Sequence, residues 1–162
     1  KIAATSAYVC VHFFLEENIM NNIDKIIEEL IEESKLSLNS MDVPIGAIIV
    51  KDGVLISSAC NTREKDQNVL GHAEINCILK AQKILKNWNL NGCDMYVSLK
   101  PCSMCAEIIK QSRIDNVYYL LDKPDEKKDF YKTKFEKINK KNEEQEYLDI
   151  LSNFFKELRE KK

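Results

Sequence analysis

Apolar positions recur along this chain with two different periods, and the alternation between them sets out its elements. Ile23, Ile26, Ile27, Leu30 and Ile31 fall at i, i+3, i+4, i+7 and i+8, one buried helical stripe, and Asn22 can cap its start. The run "VPIGAIIV" at 43–50 is short, continuous and rich in β-branched residues, which predicts a buried strand. It is followed by "KDG" and "VLISSAC", so Asp52-Gly53 predicts a tight hairpin between two strands. "NTREKDQN" at 61–68 reads as an exposed loop. Helical periodicity returns from Ala73 to about Lys86, with Ile75, Ile78, Leu79, Gln82 and Leu85 defining the helix sides.

A short strand, "MYVSL" at 95–99, comes next, and Pro101 then marks the start of a helix over "CSMCAEIIKQS". "NVYYLL" is a further strand and "DKPDEKKDFYKTK" a charged loop, whose lysines at 123, 127, 128, 132 and 134 are interleaved with acidic residues, as on a solvated segment. Tyr147, Leu148, Leu151, Phe154, Phe155 and Leu158 place a last helix. Strands alternating with helices predict an α/β fold, a mixed central sheet flanked by helices.

A length of 162 residues with 44% hydrophobic and 31% charged side chains suits one soluble domain. The net charge of −2 does not announce a nucleic-acid binder, but its distribution is uneven. Residues 1–50 hold 3 basic and 8 acidic side chains, whereas residues 123–162 hold 12 and 10. An anionic partner is therefore least repelled by the C-terminal end. The six cysteines do not read as a disulfide framework, because a chain of this length builds a core without staples; reduced thiols in a cytoplasmic setting are expected. No apolar run reaches the ~18 residues of a membrane span. Residues 1–19 include "AYVCVHFFL" with flanks unlike a secretory signal, and Met20 precedes the first clean helix. They are expected to be an extension without a functional role, which sets Cys10 and His12 aside, and residues 20–162 form the domain.

Cys102 and Cys105 are three positions apart at a helix start, so both sulfurs lie on one side, near the positive end of the helix dipole. A convergent thiolate pair suits zinc, and His72, the histidine outside the N-terminal extension, sits at another helix start. Glu74 is two positions beyond it, a poor spacing for one helix side but a good one for a partner lying off the helix end. Three protein ligands leave zinc a fourth position for water, and zinc can lower the pKa of that water from 15.7 to about 7. Glu74 would then move the proton. Cys77 could supply a fourth ligand, but it lies five positions past His72 and suits the core better; Cys60 and Cys93 read as small buried hydrophobes. A lone C-x-x-C also fits a redox pair.

"HAE" followed by "PCSMC" matches the H-x-E…P-C-x-x-C signature of zinc nucleobase deaminases. With "DVPIGAIIV", "CN" at 60–61, "NWNLNGCDMYVSLKPCSMCA", "SRI" at 112–114 and "LSNFFKELREKK" in order, the chain from Met20 onward resembles the bacterial tRNA-specific adenosine deaminases. That resemblance implies a three-layer cytidine-deaminase-like fold, a homodimer and deamination of adenosine to inosine at the wobble position of a tRNA anticodon. It implies one zinc per subunit, held by His72, Cys102 and Cys105, with Glu74 as proton shuttle. Asn61 and the backbone of Ala73 would touch the flipped base, Val43 and Ile45 would line its pocket, and Phe154, Phe155, Lys156 and Arg159 would approach the anticodon stem-loop. From the residues alone, Asn61 equally suits a strand end, at least one of the two phenylalanines suits core packing, and Lys156 and Arg159 suit a solvated face. Two other functions share the signature: deamination of a free base or nucleotide such as guanine, cytosine or dCMP, and a catalytically silent zinc-binding subunit. The presence of Glu74 argues against the last.

Overall fold

The computed structural model describes residues 23–122 and 133–160. In chain order these form α1 (Ile23–Lys35), β1 (Gly46–Lys51), β2 (Val54–Cys60), α2 (Arg63–Asp66), α3 (Ala73–Leu85), β3 (Cys93–Leu99), α4 (Ser103–Gln111), β4 (Asn116–Leu121), β5 (Lys134–Lys137) and α5 (Lys141–Glu160). The strands make one sheet in the order β2-β1-β3-β4-β5. β1 is antiparallel to β2 and β3, while β3, β4 and β5 run parallel. Helices α1 and α5 cover one face of the sheet, and α3 and α4 the other. This is the mixed-sheet α/β arrangement that the sequence pattern implies, in the three layers that the resemblance implies. Asn22, the extension at 1–19 and the lysines at 123, 127, 128 and 132 lie outside the described residues.

Strand β1 is continuously apolar because both of its faces are covered. Ile48 and Val50 pack with Ile26 and Leu30 of α1, whereas Ala47 and Ile49 pack with Ala73, Cys77 and Ile78 of α3. A helix of 13 residues is marginal by itself. Burial of Ile27 and Leu30, each contributing roughly 1.5–3 kcal/mol, decides in its favour. The hairpin after β1 turns on Asp52 at φ 49° and Gly53 at φ 75°, both left-handed as a two-residue type I′ turn requires, with Lys51 opposite Val54.

Several boundaries differ from the sequence expectation, each for a local reason. β1 starts at Gly46 rather than at 43, because the Ile45 N–H donates to the Val43 carbonyl at 2.8 Å and the chain bends around Pro44, which has no N–H for the ladder. β3 begins at Cys93, two positions before 95. The expected loop at 61–68 contains the helical turn α2, whose Glu64 and Lys65 N–H groups donate to the buried Asp42 carboxylate at 2.6 and 3.2 Å. Lys134 belongs to the edge strand β5 and not to the charged loop. On α3 the buried stripe runs through Ala73, Cys77, Ile78 and Ala81, leaving Leu79 51% exposed. Cys77 is fully buried, as expected, whereas Cys60 is only partly buried and not a core residue. Among the described residues, no helix is long and apolar enough to cross a membrane.

Candidate active site

Two helix starts meet beyond the carboxyl end of β3, where open α/β sheets commonly bind ligands. His72 is the N-cap of α3 and Cys102 the N-cap of α4; both have extended backbones, and neither side chain caps its own helix. Cys105, in the first turn of α4, completes the group. His72 Nδ1 stands 3.3 Å from Cys105 Sγ and 3.8 Å from Cys102 Sγ, and the three donor atoms all lie within 4.8 Å of one another. Nitrogen and sulfur ligands at about 2.0–2.3 Å from a tetrahedral zinc stand roughly 3.3–3.8 Å apart, so the two nitrogen–sulfur separations suit that ion. Cys77 cannot join it, because its thiol is committed to Ser57 across the core.

The electrostatics favour a cation here. The Cys102 thiol is held down at about 5, first by a hydrogen bond from the Cys105 thiol and then, against its own burial, by the backbone amides of Cys105 and Met104 at the start of α4. The Cys105 thiol is pushed up by that same shared hydrogen bond, by burial and by the carboxylate of Glu74. Glu74, only 3% exposed, therefore stands beside the Cys105 sulfur.

A second group of residues is tied together by hydrogen bonds. The Asn61 N–H donates to the Ile45 carbonyl at 3.0 Å, and Asn61 Nδ2 donates to the Val43 carbonyl at 3.2 Å. With Nδ2 committed, Asn61 Oδ1 is left buried without a hydrogen-bond partner. A buried acceptor of this kind costs about 1–3 kcal/mol unless a ligand donates to it. The Thr62 N–H donates to the Gly71 carbonyl at 2.8 Å, which ties Asn61 to the turn leading into His72. A Cβ on Gly71 would come within 2.9 Å of the Arg63 backbone, so α2 and the His72 turn touch main chain to main chain. Ile45 packs in the cluster that holds Ala73, Cys102 and Cys105, whereas Val43 packs in the cluster of α1 and α5 and meets Asn61 through its carbonyl.

A family model described as MafB19-like deaminase matches residues 21–159. The chain belongs to this family. A tRNA-specific adenosine deaminase of Bacillus subtilis is 39% identical over 100 residues, 62% of this chain and 62% of the relative. This match spans less than two thirds of that relative. The tRNA-specific adenosine deaminase of Aquifex aeolicus is 36% identical over 141 residues, covering 80% of this chain and 91% of the relative. A structure solved in a study of A-to-I editing by tRNA:A34 deaminases at the wobble position of transfer RNA superposes with a TM-score of 0.65 at 29% identity, over 70% of this chain and 97% of that one. The guanine deaminase of Bacillus subtilis superposes with a TM-score of 0.59 at 31% identity, over 62% and 65%.

Within this MafB19-like deaminase, the C-terminal residues divide. Tyr147, Leu151 and Phe154 are buried on one stripe of α5, while Lys156 and Arg159 are exposed. Phe154 packs edge-to-face on Phe155 at 5.2 Å, and of the pair it is Phe155, 43% exposed, that presents a ring to solvent. Sequence reasoning missed three positioning residues. Asp42 holds α2; Asn76 donates to the Cys60 carbonyl at 3.1 Å and to Thr62 Oγ1 at 3.0 Å; Tyr147 donates to the Pro44 carbonyl at 2.5 Å. Asn76 had a legible signal, a polar residue one turn beyond His72 and next to the buried stripe. Asp42 and Tyr147 had none, because their partners are distant in sequence.

Proposed function

We propose that this MafB19-like deaminase removes the exocyclic amine of adenosine at the wobble position of a tRNA anticodon, giving inosine and ammonia. The observation that carries the reading is the convergence of His72 Nδ1, Cys102 Sγ and Cys105 Sγ, with Glu74 buried beside them. The names of the Bacillus and Aquifex relatives support the substrate.

His72, Cys102 and Cys105 would hold one zinc ion. When bound, zinc would make a water nucleophilic at neutral pH, the chemistry that substitution at C6 of the base requires. Glu74 takes one proton from the attacking water to N1 of the ring and then carries the second, from the new C6 hydroxyl, to the amine; the C6–N bond breaks, ammonia leaves, a C6 carbonyl and an N1–H remain, and the carboxylate is restored. Its burial next to the Cys105 sulfur keeps it within reach of both steps. Asn61 Oδ1 accepts a hydrogen bond from the base, Ala73 offers the backbone of the first helical position, and Val43 and Ile45 close over the ring. Phe155, Lys156 and Arg159 serve the anticodon stem-loop, with Phe154 buttressing Phe155. Residues 20–162 act as one domain in the cytoplasm. Self-association as a homodimer is supported by the exposed Leu79, Ile84 and Trp88 and is tested by the mass of the particle in solution.

The test is direct. Zinc-loaded protein is incubated with a tRNA bearing adenosine at the first anticodon position, and the RNA is analysed for inosine. Inosine is expected; none from protein carrying one zinc per chain contradicts the reading. The 31% identity to a guanine deaminase favours one second reading, in which a free base is the substrate. Ammonia release from guanine, cytosine and dCMP, measured beside the tRNA reaction, separates the two.

A further inference from the structure

We infer that Tyr147 is a positioning residue: from α5 it fixes the wall of the base pocket at 43–46 and so links the helix proposed to meet RNA to the chemistry. This rests on the deaminase reading for its catalytic consequence, though not for its geometry. Tyr147 is fully buried, and its hydroxyl donates to the carbonyl of Pro44 at 2.5 Å, across 103 positions of sequence.

Pro44 is the apex of the bend whose two flanks do the work of the wall. Val43 and Ile45 turn their carbonyls to Asn61, whereas the Pro44 carbonyl between them turns the opposite way, to Tyr147. The segment is thus gripped from both sides. A third hold lies one residue on, where the Gly46 N–H donates to Ser98 Oγ at 3.0 Å. Ser98 and Glu74 both act on the Tyr147 hydroxyl, whose pKa burial pushes up first, Glu74 adding to the rise and Ser98 opposing it. The phenol therefore sits where wall, sheet and proton shuttle converge. Phe155, Lys156 and Arg159 follow on the same helix, 8 to 12 residues later, about 12–18 Å along its axis.

A phenol in the core needs its hydrogen bond, and Phe in its place keeps the ring while leaving the Pro44 carbonyl unsatisfied. Tyr147→Phe is compared with Ile27→Val, which removes one methylene from the same cluster on α1 but no hydrogen bond to the wall. Two readouts are taken at a temperature where both variants are fully folded. Hydrogen exchange at the Gly46 and Asn61 amides is expected to accelerate about tenfold or more in Tyr147→Phe and to stay unchanged in Ile27→Val. On tRNA, Tyr147→Phe is expected to raise KM about tenfold with kcat within about threefold, at unchanged zinc content, while Ile27→Val behaves as wild type. Unchanged exchange at both amides overturns the inference, and so does accelerated exchange with wild-type kinetics. Should wild-type protein fail to act on tRNA, the proposed function falls alone, and the exchange comparison still decides whether Tyr147 fixes the wall.

Discussion

His72 and Cys105 are 33 positions apart in sequence, yet the imidazole Nδ1 and the thiol Sγ stand 3.3 Å from each other. Two helix N-termini arriving at one end of the sheet produce that closeness. The turn before His72 is held by main-chain contact between Gly71 and Arg63 and by the Asp42 carboxylate on α2.

Replacing Gly71 with Ala puts a Cβ where no room exists, an overpacking that typically costs about 1–3 kcal/mol, and the strain falls next to His72, whose Nδ1 is proposed to hold zinc. Zinc affinity, measured by competition with a chelator, is expected to fall about 10–100-fold, the usual size of a positioning defect at a metal site. Wild-type affinity would mean that α2 has no part in holding His72.

Asn61→Ala is expected to leave zinc content unchanged and to raise KM about tenfold, because it removes the buried Oδ1 proposed as acceptor for the substrate. Steady-state kinetics on the deaminated substrate check this; unchanged kinetics would place the base elsewhere.

The larger part of the layer order was legible in the sequence. Alternating periods gave α1, α3, α4 and four strands, and Asp52-Gly53 marked its own turn because left-handed φ at both positions selects those residues. The triad of donors was legible too, since helix-start spacing and a single eligible histidine narrow the choice. The remainder depended on contacts that no local pattern encodes. α2 buries no residue of its own and is held by Asp42, 22 positions earlier. β5 is four residues long with exposed Lys134 and Glu136, so its pairing with β4 carries no strong periodic signal. The departure of Val43 and Ile45 from the strand follows from Pro44, and Tyr147 was visible as a stripe residue but not as a hydrogen-bond donor.

Alkaline pH is expected to weaken the fold through Cys77. Burial raises its thiol pKa from 9.0 to about 12. Below pH 9 the thiol is protonated in both states and the contribution is intact. Between about 9 and 12 the unfolded chain ionises while the folded one does not, so stability falls as pH rises, by about 1.4 kcal/mol per pH unit. Urea unfolding at pH 8 and pH 10 should show this loss, and Cys77→Ala should reduce it; an unchanged difference between the two pH values in the variant would assign the loss to other groups.

RNA affinity should depend on salt through α5. Removing phosphate contacts lowers the slope of log K against log salt by about 0.7–0.9 per contact. Lys156→Ala with Arg159→Ala is expected to flatten that slope by one to two such contacts without changing zinc content. An unaltered slope would leave these exposed residues as solvated surface.

Glu74→Gln separates the two jobs that a carboxylate beside a metal could have. The amide keeps shape and burial but cannot carry the proton, so inosine formation in tRNA should fall by about 10²–10⁴-fold while zinc stays near that of the wild type. Loss of zinc together with activity would make Glu74 a ligand, and full activity in the variant would remove it from the chemistry; either result contradicts the account.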